Sequence, residues 1–338
     1  MNEQSGLPAP VALLQMLTGY WVSKALSVAA ELGVADHLED GPRAVTELAA
    51  ECGAEPAALY RLLRALASVG VFSEEDGDRF GLTPLAEPLR SDVPGSMRAL
   101  ARMYGSEQFQ AWAGLEESVR TGKPSFDQVF GTTVWDYFEN NPETSAVFND
   151  AMTGWTAQLA DAVVTAYDFS DARQVVDVGG GLGLLLSTIL LANPAAEGVL
   201  FEVPHVAADA ALFLEKAGVV ERSKTVGGDF FESVPDGGTT YVLAQILHDW
   251  DDEHCGQILR NCRRAMHSDS KLLVIEQVLP PRNEPSFGKW LDLHMLVMAG
   301  GRERTASEYR SLLATAGFDL TSVIPIRAGA SIVEAVPR

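Results

Sequence analysis

Apolar positions recur in two different rhythms, and the rhythm changes near residue 170. Before that point apolar residues follow helical spacing, and after it short β-branched runs alternate with helical segments. The second pattern predicts strands at Val175–Val178, Val199–Phe201, Lys224–Val226, Tyr241–Gln245, Leu272–Ile275, Leu320–Ile326 and Ser331–Val336. Helices fall between them, for example over Asp252–Met266 and Ser307–Ala316. This alternation predicts a doubly wound α/β sheet whose last two strands form an antiparallel hairpin at one edge.

The N-terminal half predicts three helical regions. Residues 11–38 are apolar on several faces, so this helix needs covering by a second subunit or by its own domain. Residues 44–90 follow a winged-helix order, with Thr46 and Glu55-Pro56 as helix starts and a hairpin turning at Asp76-Gly77. Residues 95–170 are mostly helical and rich in aromatic side chains, most of which we expect in the core.

The net negative charge of the chain limits the kinds of molecule that it can bind. The 338 residues predict two domains, and their net charge of −21 argues against nucleic acid and anionic membrane surfaces. The winged-helix region itself has nine acidic residues against five arginines between Asp40 and Arg90, a net charge of −4. We therefore expect this region to serve subunit contact instead of DNA binding.

Nothing in the sequence predicts export or membrane insertion. No apolar run has the roughly 18 residues of a membrane span, and MNEQSGLPAP lacks the basic and apolar regions of a signal peptide. The three cysteines, Cys52, Cys255 and Cys262, form no paired framework. These features favour a cytoplasmic, reduced protein.

A glycine-rich turn follows the first predicted strand of the sheet. The residues from Gly179 read G-G-G-L-G, and the second strand ends at Glu202. Glycines let a ligand approach the backbone, and an acid at the second strand tip can hold a ribose hydroxyl pair. The spacing differs from G-x-G-x-x-G, and no Lys, Ser or Thr lies in the turn to contact phosphate. An adenosine ligand without phosphates fits better, and S-adenosylmethionine is such a ligand.

Two further strand ends carry candidate ligand and catalytic groups. After the third strand, Asp229 could accept from the adenine amine and Phe230 could cover the ring, although Asp229 also suits a turn. The fourth strand leads into LHDWDDEHC, which places His248 where open α/β sheets bind ligands. The neighbouring aspartates suggest a metal site, but a helix cap at Asp251 or Asp252 explains them more simply.

Two carboxylates are candidate partners for His248. Glu276 ends the fifth strand, and Glu303 lies in GGRERT before a helix. Either could fix the histidine tautomer and raise its basicity.

Several motifs stand together in one order and spacing: DVGGGLG, GDFF, LHDWDDEHC, VIEQVLP and GGRERT. They resemble the small-molecule O-methyltransferases of the plant caffeate type and their bacterial polyketide relatives, over nearly the whole chain. The resemblance implies a Rossmann-like class I methyltransferase domain with an N-terminal, mainly helical winged-helix dimerisation domain. We expect dimerisation through residues 1–95, a helical linker contributing to the substrate pocket over 96–170, and the catalytic domain over 171–338.

The resemblance also implies a reaction and a set of site residues. The methyl group of S-adenosylmethionine would pass to a hydroxyl of an aromatic small molecule such as a polyketide, without a metal, in a homodimer. His248 would be the general base, flanked by Glu276 and Glu303. The candidate cofactor positions are Gly179, Gly181, Glu202, Asp229, Phe230 and Ala244, and the candidate acceptor positions are Met152, Trp155, Asp249, Asp292 and Met295.

Two departures and two alternatives accompany this interpretation. Glu202 stands where plant members usually have Asp, and Ala244 stands where they have a Lys near the cofactor. A winged-helix regulator with a ligand-sensing domain would explain residues 44–90, but not His248, Glu276 and Glu303 together. A family member that has drifted to hydroxylation or decarboxylation is the other alternative.

Overall fold

A computed structural model describes residues 7–327 and 329–338. The helices are α1 Ala9–Leu17, α2 Gly19–Glu31, α3 Val45–Cys52, α4 Pro56–Ala67, α5 Arg98–Gly105, α6 Glu107–Trp112, α7 Leu115–Thr121, α8 Ser125–Phe130, α9 Val134–Asn140, α10 Pro142–Ala166, α11 Leu184–Ala192, α12 Pro204–Lys216, α13 Asp252–Ala265, α14 Gly288–Met298 and α15 Ala306–Thr315. The strands are β1 Arg43–Ala44, β2 Phe72–Glu75, β3 Arg79–Leu82, β4 Gln174–Val178, β5 Glu197–Glu202, β6 Ser223–Gly227, β7 Thr240–Ala244, β8 Lys271–Glu276, β9 Phe318–Pro325 and β10 Ser331–Pro337. The expectation that the N-terminus lacks an export signal falls partly on residues 1–6, which lie outside this range.

The chain divides into two compact units. The first reaches to Phe109 and includes Ala146–Gly154, and the second comprises Gln110–Ser145 and Trp155–Arg338. Because helix α10 runs through Gly154 and Trp155, it contributes residues to both units.

The first unit has the predicted winged-helix elements. Strands β1, β3 and β2 form a small sheet, and β2 pairs antiparallel with β3 around the predicted turn, with Glu75 opposite Arg79. Helix α4 starts at Glu55-Pro56 as predicted, and the Glu55 side chain accepts hydrogen bonds from the Ala57 and Ala58 N–H groups. The Thr46 prediction is wrong, because α3 begins one residue earlier and Ala44 is its N-cap. The predicted helix over 11–38 is interrupted at Thr18, between α1 and α2.

The second unit contains a seven-stranded sheet in the order β6-β5-β4-β7-β8-β10-β9. Strands β4 to β8 pair in parallel, and β10 runs antiparallel to both β8 and β9. The predicted strands are all present, and none of their ends is shifted by more than two residues. The antiparallel hairpin at the sheet edge is confirmed.

Helices cover both faces of this sheet, which explains the β-branched composition of its central strands. Neighbouring residues of β4 point to opposite sides, so Val175 packs in one core with helix α11, and Val176 packs in the other with α13 and α15. Both side chains are fully buried. A strand buried on both faces carries few polar side chains, which makes the acid at Asp177 unusual.

Candidate active site

The strand order brings two of the predicted motifs to the same edge of the sheet. Strand β4 pairs with β5 on one side and β7 on the other, and open α/β sheets bind ligands at the carboxyl ends of strands at such a switch point. The glycine turn follows β4 and the His248 turn follows β7. A Cβ built on Gly179 would lie 2.5 Å from the Ile246 Cδ1 atom and 3.7 Å from the Phe230 Cε1 atom. The glycine turn, the Phe230 segment and the His248 turn are therefore close neighbours.

Glu202 is tied to the glycine turn. Its Oε2 atom accepts from the Gly181 N–H at 3.0 Å, and its Oε1 atom accepts from the Val203 N–H at 2.8 Å. Burial raises the pKa of Glu202, and these backbone bonds oppose the rise. Each carboxylate oxygen has a second acceptor position, so both oxygens can still receive a ribose hydroxyl. Gly181 has a φ of 57°, a left-handed conformation that favours glycine. This arrangement fits an adenosine ribose.

A second acid under the turn was not among the predicted site residues. Asp177 is fully buried on β4, and burial followed by the nearby Glu202 charge raises its pKa to about 7. A Cβ on Gly180 would lie 2.6 Å from the Asp177 Oδ2 atom, so this carboxylate occupies the space that the glycine leaves. The signal in the sequence was an acid within an otherwise apolar, doubly covered strand.

The segment after β6 combines a turn and an aromatic contact. The Asp229 Oδ1 atom accepts from the Phe231 N–H at 2.8 Å, so Asp229 does stabilise a turn, as the alternative interpretation expected. Asp229 is exposed and its other oxygen is available for a ligand. Phe230 is half-buried and meets Trp250 edge-on, with ring centroids 6.2 Å apart. Ala244 ends β7, half-buried, opposite Ile275 of β8.

His248 lies in a 3₁₀ turn, Leu247–Asp249, just beyond β7. Gln245, between the end of β7 and this turn, has a φ of 59°, which is strained for a residue with a side chain. The His248 ring is buried, and its Nδ1–H donates to the Glu303 Oε1 atom at 2.7 Å. Its Nε2 atom lies 3.6 Å from the Asp249 Oδ1 atom. A proton held on Nδ1 by Glu303 leaves Nε2 as the basic nitrogen of the neutral ring.

The surrounding carboxylates determine how readily His248 ionises. Burial alone would lower the pKa of His248, but Asp249, Glu303 and Glu276 together raise it to about 10. Burial also raises the pKa of Asp249 to about 7, against the opposing effect of the His248 charge. The result is a strongly basic imidazole beside a carboxyl that is partly protonated at neutral pH.

Glu276 contacts the backbone of the His248 turn. Its Oε1 atom accepts from the N–H groups of Ile246, Leu247 and His248, at 3.1, 2.6 and 3.3 Å. Its Oε2 atom accepts from the hydroxyl of Tyr309 on α15. The sequence predicts either Glu276 or Glu303 as the partner of the His248 ring. In the structure Glu303 is hydrogen-bonded to the ring, and Glu276 is hydrogen-bonded to the backbone N–H groups of the turn. Tyr309 was not predicted, because nothing local in the sequence links α15 to this turn.

The predicted acceptor residues lie in different surroundings. Trp155 packs against Phe287, with ring centroids 5.6 Å apart, and Met295 is buried on α14. The Asp292 Oδ1 atom accepts from the Glu303 N–H at 2.9 Å, so this carboxylate also holds the backbone that carries Glu303. Met152 belongs to the first unit, whereas the other four candidates belong to the second.

A second buried histidine on α14 was missed. The Trp112 indole N–H donates to the His294 Nδ1 atom at 2.8 Å, and the two rings stack. An indole nitrogen only donates, so Nδ1 is unprotonated and the ring proton is on Nε2. Burial, reinforced by the His248 charge, lowers the pKa of His294 to about 4. His294 is therefore a neutral imidazole near a strongly basic one.

The aspartates of LHDWDDEHC have structural partners. The Asp251 side chain accepts from the His254 N–H at 2.9 Å and caps helix α13, as the simpler interpretation expected. Asp252 forms ion pairs with Arg302 and Arg304. Across residues 7–327 and 329–338, no three His, Cys, Asp or Glu side chains are grouped so that they could hold a metal ion.

Comparison with known families gives matches to both halves of the chain. The model of the O-methyltransferase domain matches residues 112–319, and that of the O-methyltransferase dimerisation domain matches residues 14–92. The chain is 52% identical to phenazine O-methyltransferase PhzM of Lysobacter antibioticus, over 99% of this chain and 98% of that protein. None of the helices in the described ranges is both long and apolar enough to cross a membrane.

Solved structures give the same family. The crystal structure of LaPhzM superposes with a TM-score of 0.96 at 53% identity, covering 98% of this chain and 100% of that one. NcsB1, from neocarzinostatin biosynthesis, was solved with S-adenosylmethionine and 2-hydroxy-5-methyl naphthoic acid. It superposes with a TM-score of 0.83 at 36% identity, covering 96% of this chain and 98% of that one.

Proposed function

The chain belongs to the S-adenosylmethionine-dependent O-methyltransferase family, and from that premise we propose that it methylates a hydroxyl of an aromatic natural product with His248 as general base. The observation that carries the proposal is the buried 2.7 Å hydrogen bond between the His248 Nδ1 atom and Glu303. It holds the ring in one tautomer at the carboxyl end of β7, with Nε2 as the base. A side chain so placed supports a role as general base, and the remaining requirement is an acceptor hydroxyl within hydrogen-bond reach of Nε2.

The acidity of His248 supports proton transfer from a phenol. A pKa of about 10 for His248 lies close to that of tyrosine-like phenols, which is also about 10. A ring with this pKa is protonated on both nitrogens at pH 7, so only the fraction that has lost its Nε2 proton, about one molecule in 10³, can act as the base. For that neutral ring the proton moves from the phenol to Nε2 with little free-energy cost, whereas an unperturbed histidine would face about 5 kcal/mol. We infer that His248 takes the proton as the oxygen attacks, and that Glu303 stabilises the imidazolium that forms.

The residues around the glycine turn would hold the cofactor. Bound S-adenosylmethionine supplies an electrophilic methyl group on a sulfonium centre. Glu202 would accept from the ribose hydroxyls, and the Gly179–Gly181 turn would admit the amino-acid portion close to the backbone. Phe230 would cover the adenine face, and the free Asp229 oxygen would accept from its amine. Ala244 would line the same site from the end of β7.

The acceptor is inferred from the relatives. Phenazine O-methyltransferase PhzM and the NcsB1 complex with a hydroxynaphthoic acid are named for aromatic ligands. We propose a fused or substituted phenol, contacted by Trp155, Asp249 and Met295, and the contact with Met152 stays a prediction from the sequence. Asp292 would act at one remove, through the Glu303 backbone. The dimerisation-domain match over residues 14–92 supports a homodimer, with residues 1–95, 96–170 and 171–338 as the three functional regions.

Replacement of His248 tests this function. Hydroxyphenazine and hydroxynaphthoate acceptors would be screened by mass spectrometry for a gain of one CH₂ unit, which distinguishes methylation from hydroxylation or decarboxylation. His248→Ala should then lower kcat by roughly 10²–10⁴-fold, the usual contribution of a general base. Affinity for S-adenosylmethionine, measured by calorimetry, should stay unchanged.

The exposed His267 provides a matched control. His267→Ala should retain the wild-type kcat, since this side chain lies far along the chain from the turn, after α13. A loss below about tenfold in His248→Ala, outside the range expected for acid–base catalysis, would reduce His248 to a group that only positions the acceptor.

A further inference from the structure

Arg304 is a fully buried arginine with every N–H group engaged. Its Nη1 atom donates to the carbonyl oxygens of Leu247 and Arg302, at 2.9 and 3.1 Å. Its Nη2 atom donates to the Trp250 carbonyl oxygen and to the Asp252 carboxylate, both at 2.9 Å, and contacts the Cys255 sulfur at 3.4 Å. Its Nε atom donates to Asp252 at 3.1 Å. The guanidinium is therefore held in one orientation by the full set of its donors.

Two of the accepting carbonyl groups flank His248 and Asp249. Leu247 immediately precedes His248, and Trp250 immediately follows Asp249, so Arg304 bridges the two ends of the turn that carries both side chains. Glu303, which orients the His248 ring, is the residue before Arg304. One dipeptide thus contacts the catalytic histidine in two ways, through its ring and through the backbone on either side.

The loop before Arg304 is fitted to the same turn. A Cβ built on Gly301 would lie 2.1 Å from the His248 carbonyl oxygen and 2.3 Å from the Asp249 carbonyl carbon. The two backbones are therefore in direct contact, and neither can shift without the other. The planar guanidinium of Arg304 has five donors and can hold both ends of the His248 turn in a fixed orientation. A lysine ammonium has three donors and no fixed plane.

We propose that Arg304 is a positioning residue for methyl transfer, which fixes the 3₁₀ turn so that His248 and Asp249 face the acceptor. This role rests on the proposed function of His248. A residue that acts in this way lowers kcat when it is altered and leaves cofactor affinity largely unchanged. A residue that only stabilises the fold would instead reduce the amount of active enzyme and shift the melting temperature.

Two variants of Arg304 and one control variant test this positioning role. Arg304→Lys keeps the positive charge but loses the planar set of five donors. Arg304→Ala leaves a space that methylguanidinium can enter. We expect Arg304→Lys to lower kcat by roughly 10²-fold, the effect of misplacing a reacting group by about 1 Å. Affinity for S-adenosylmethionine should change by less than about threefold, since the ribose and glycine contacts are elsewhere. Arg302→Lys, which alters an exposed partner of the same Asp252, should keep wild-type kcat.

Chemical rescue and a double-mutant cycle complete the test. Millimolar methylguanidinium should restore part of the kcat of Arg304→Ala, and if that variant does not fold, Arg304→Lys carries the test alone. In a His248→Ala background, Arg304→Lys should cost almost nothing further, because both changes remove one function. Wild-type kcat in folded Arg304→Lys would overturn the proposal. So would an Arg304→Lys change that lowers kcat by the same factor in the wild-type and His248→Ala backgrounds. Full activity in His248→Ala alone would instead remove the proposed function.

Discussion

At the scale of single residues, two buried imidazoles differ in charge state at neutral pH, because one is cationic and the other is neutral. Burial disfavours the charged form of both rings. Three carboxylates outweigh burial at His248 and raise its pKa to about 10, whereas burial and the His248 charge lower the pKa of His294 to about 4. Their surroundings therefore keep His248 protonated and His294 neutral at pH 7, and His248 can accept a proton only after it has lost its own. Such pairs of shifted groups are typical of active sites.

Removal of the Glu303 charge should change the pH dependence of the enzyme. Glu303 raises the pKa of His248, so Glu303→Gln lowers it, by roughly 1–3 units for the loss of an opposite charge in contact. The neutral imidazole then forms at lower pH, and the rising limb of the kcat/KM profile shifts to lower pH. The plateau also falls, because an amide stabilises the imidazolium less well. The measurement is kcat/KM from pH 6 to 11, a range of about one unit beyond the expected pKa values. Both enzymes are given the same acceptor, so that the titration of its phenol cancels in the comparison.

The exposed Glu253 on α13 supplies the control for this experiment. Glu253→Gln also removes one negative charge. It should leave the rising limb of the kcat/KM profile at the same pH, since solvent screens the charge of an exposed Glu253. A limb that stays in place in Glu303→Gln, or moves to higher pH, would contradict the assignment of Glu303 as the partner of His248.

The sequence could predict which residues lie together at the candidate site but could not assign every contact between them. His248, Glu276 and Glu303 were selected by their positions after predicted strands and before a predicted helix. The division of work between the two glutamates depends on the path of the 3₁₀ turn and on Tyr309, which lies on a separate helix. Hydrogen-bond geometry at this level is set by tertiary packing, and a single sequence does not contain it.

At the scale of secondary-structure elements, local chemistry was the better guide. The helix start at Glu55-Pro56 and the turn at Asp76-Gly77 were predicted because each depends on residues within the same few positions of the chain. The Thr46 cap and the continuous helix over 11–38 were wrong, since helix α3 starts without a side-chain cap and α1 ends at Leu17. Apolar spacing alone does not reveal a break between two helices that are both apolar.

Gly301 should be the most sensitive glycine of the loop before α15. An added Cβ in Gly301→Ala would meet the backbone of His248 and Asp249 at 2.1 and 2.3 Å, and backbone cannot rotate away as a side chain can. The His248 turn must then move, and we expect kcat to fall by roughly 10²-fold. Gly256→Ala on α13 is the matched control, because its Cβ meets only the flexible Arg260 end at 3.0 Å. Equal kcat in the two variants, measured with saturating acceptor, would show that the turn tolerates displacement.

At the scale of the whole molecule, the acidic composition and the apolar N-terminal helices have different consequences. The net charge of −21 keeps copies of the chain apart at long range, except where a specific surface joins them. Helices α1 and α2 expose several large apolar side chains: Leu13, Leu14, Met16, Leu17, Tyr20 and Trp21. An apolar patch of this extent is unusual on a monomer and typical of a subunit interface. The sequence predicted this need for a cover from the apolar residues on several faces of the segment.

The homodimer should therefore depend on the α1–α2 surface. Leu14 and Leu17 are 58% and 63% exposed, and the double change Leu14→Glu, Leu17→Glu places two charges where apolar contact is expected. Burying unpaired carboxylates costs several kcal/mol each, enough to dissociate a dimer at micromolar concentration. Light scattering after size-exclusion chromatography should report a monomer. Leu212→Glu on α12, at 60% exposure in the other unit, should stay dimeric. A dimer that survives the double change would assign the interface to a different surface.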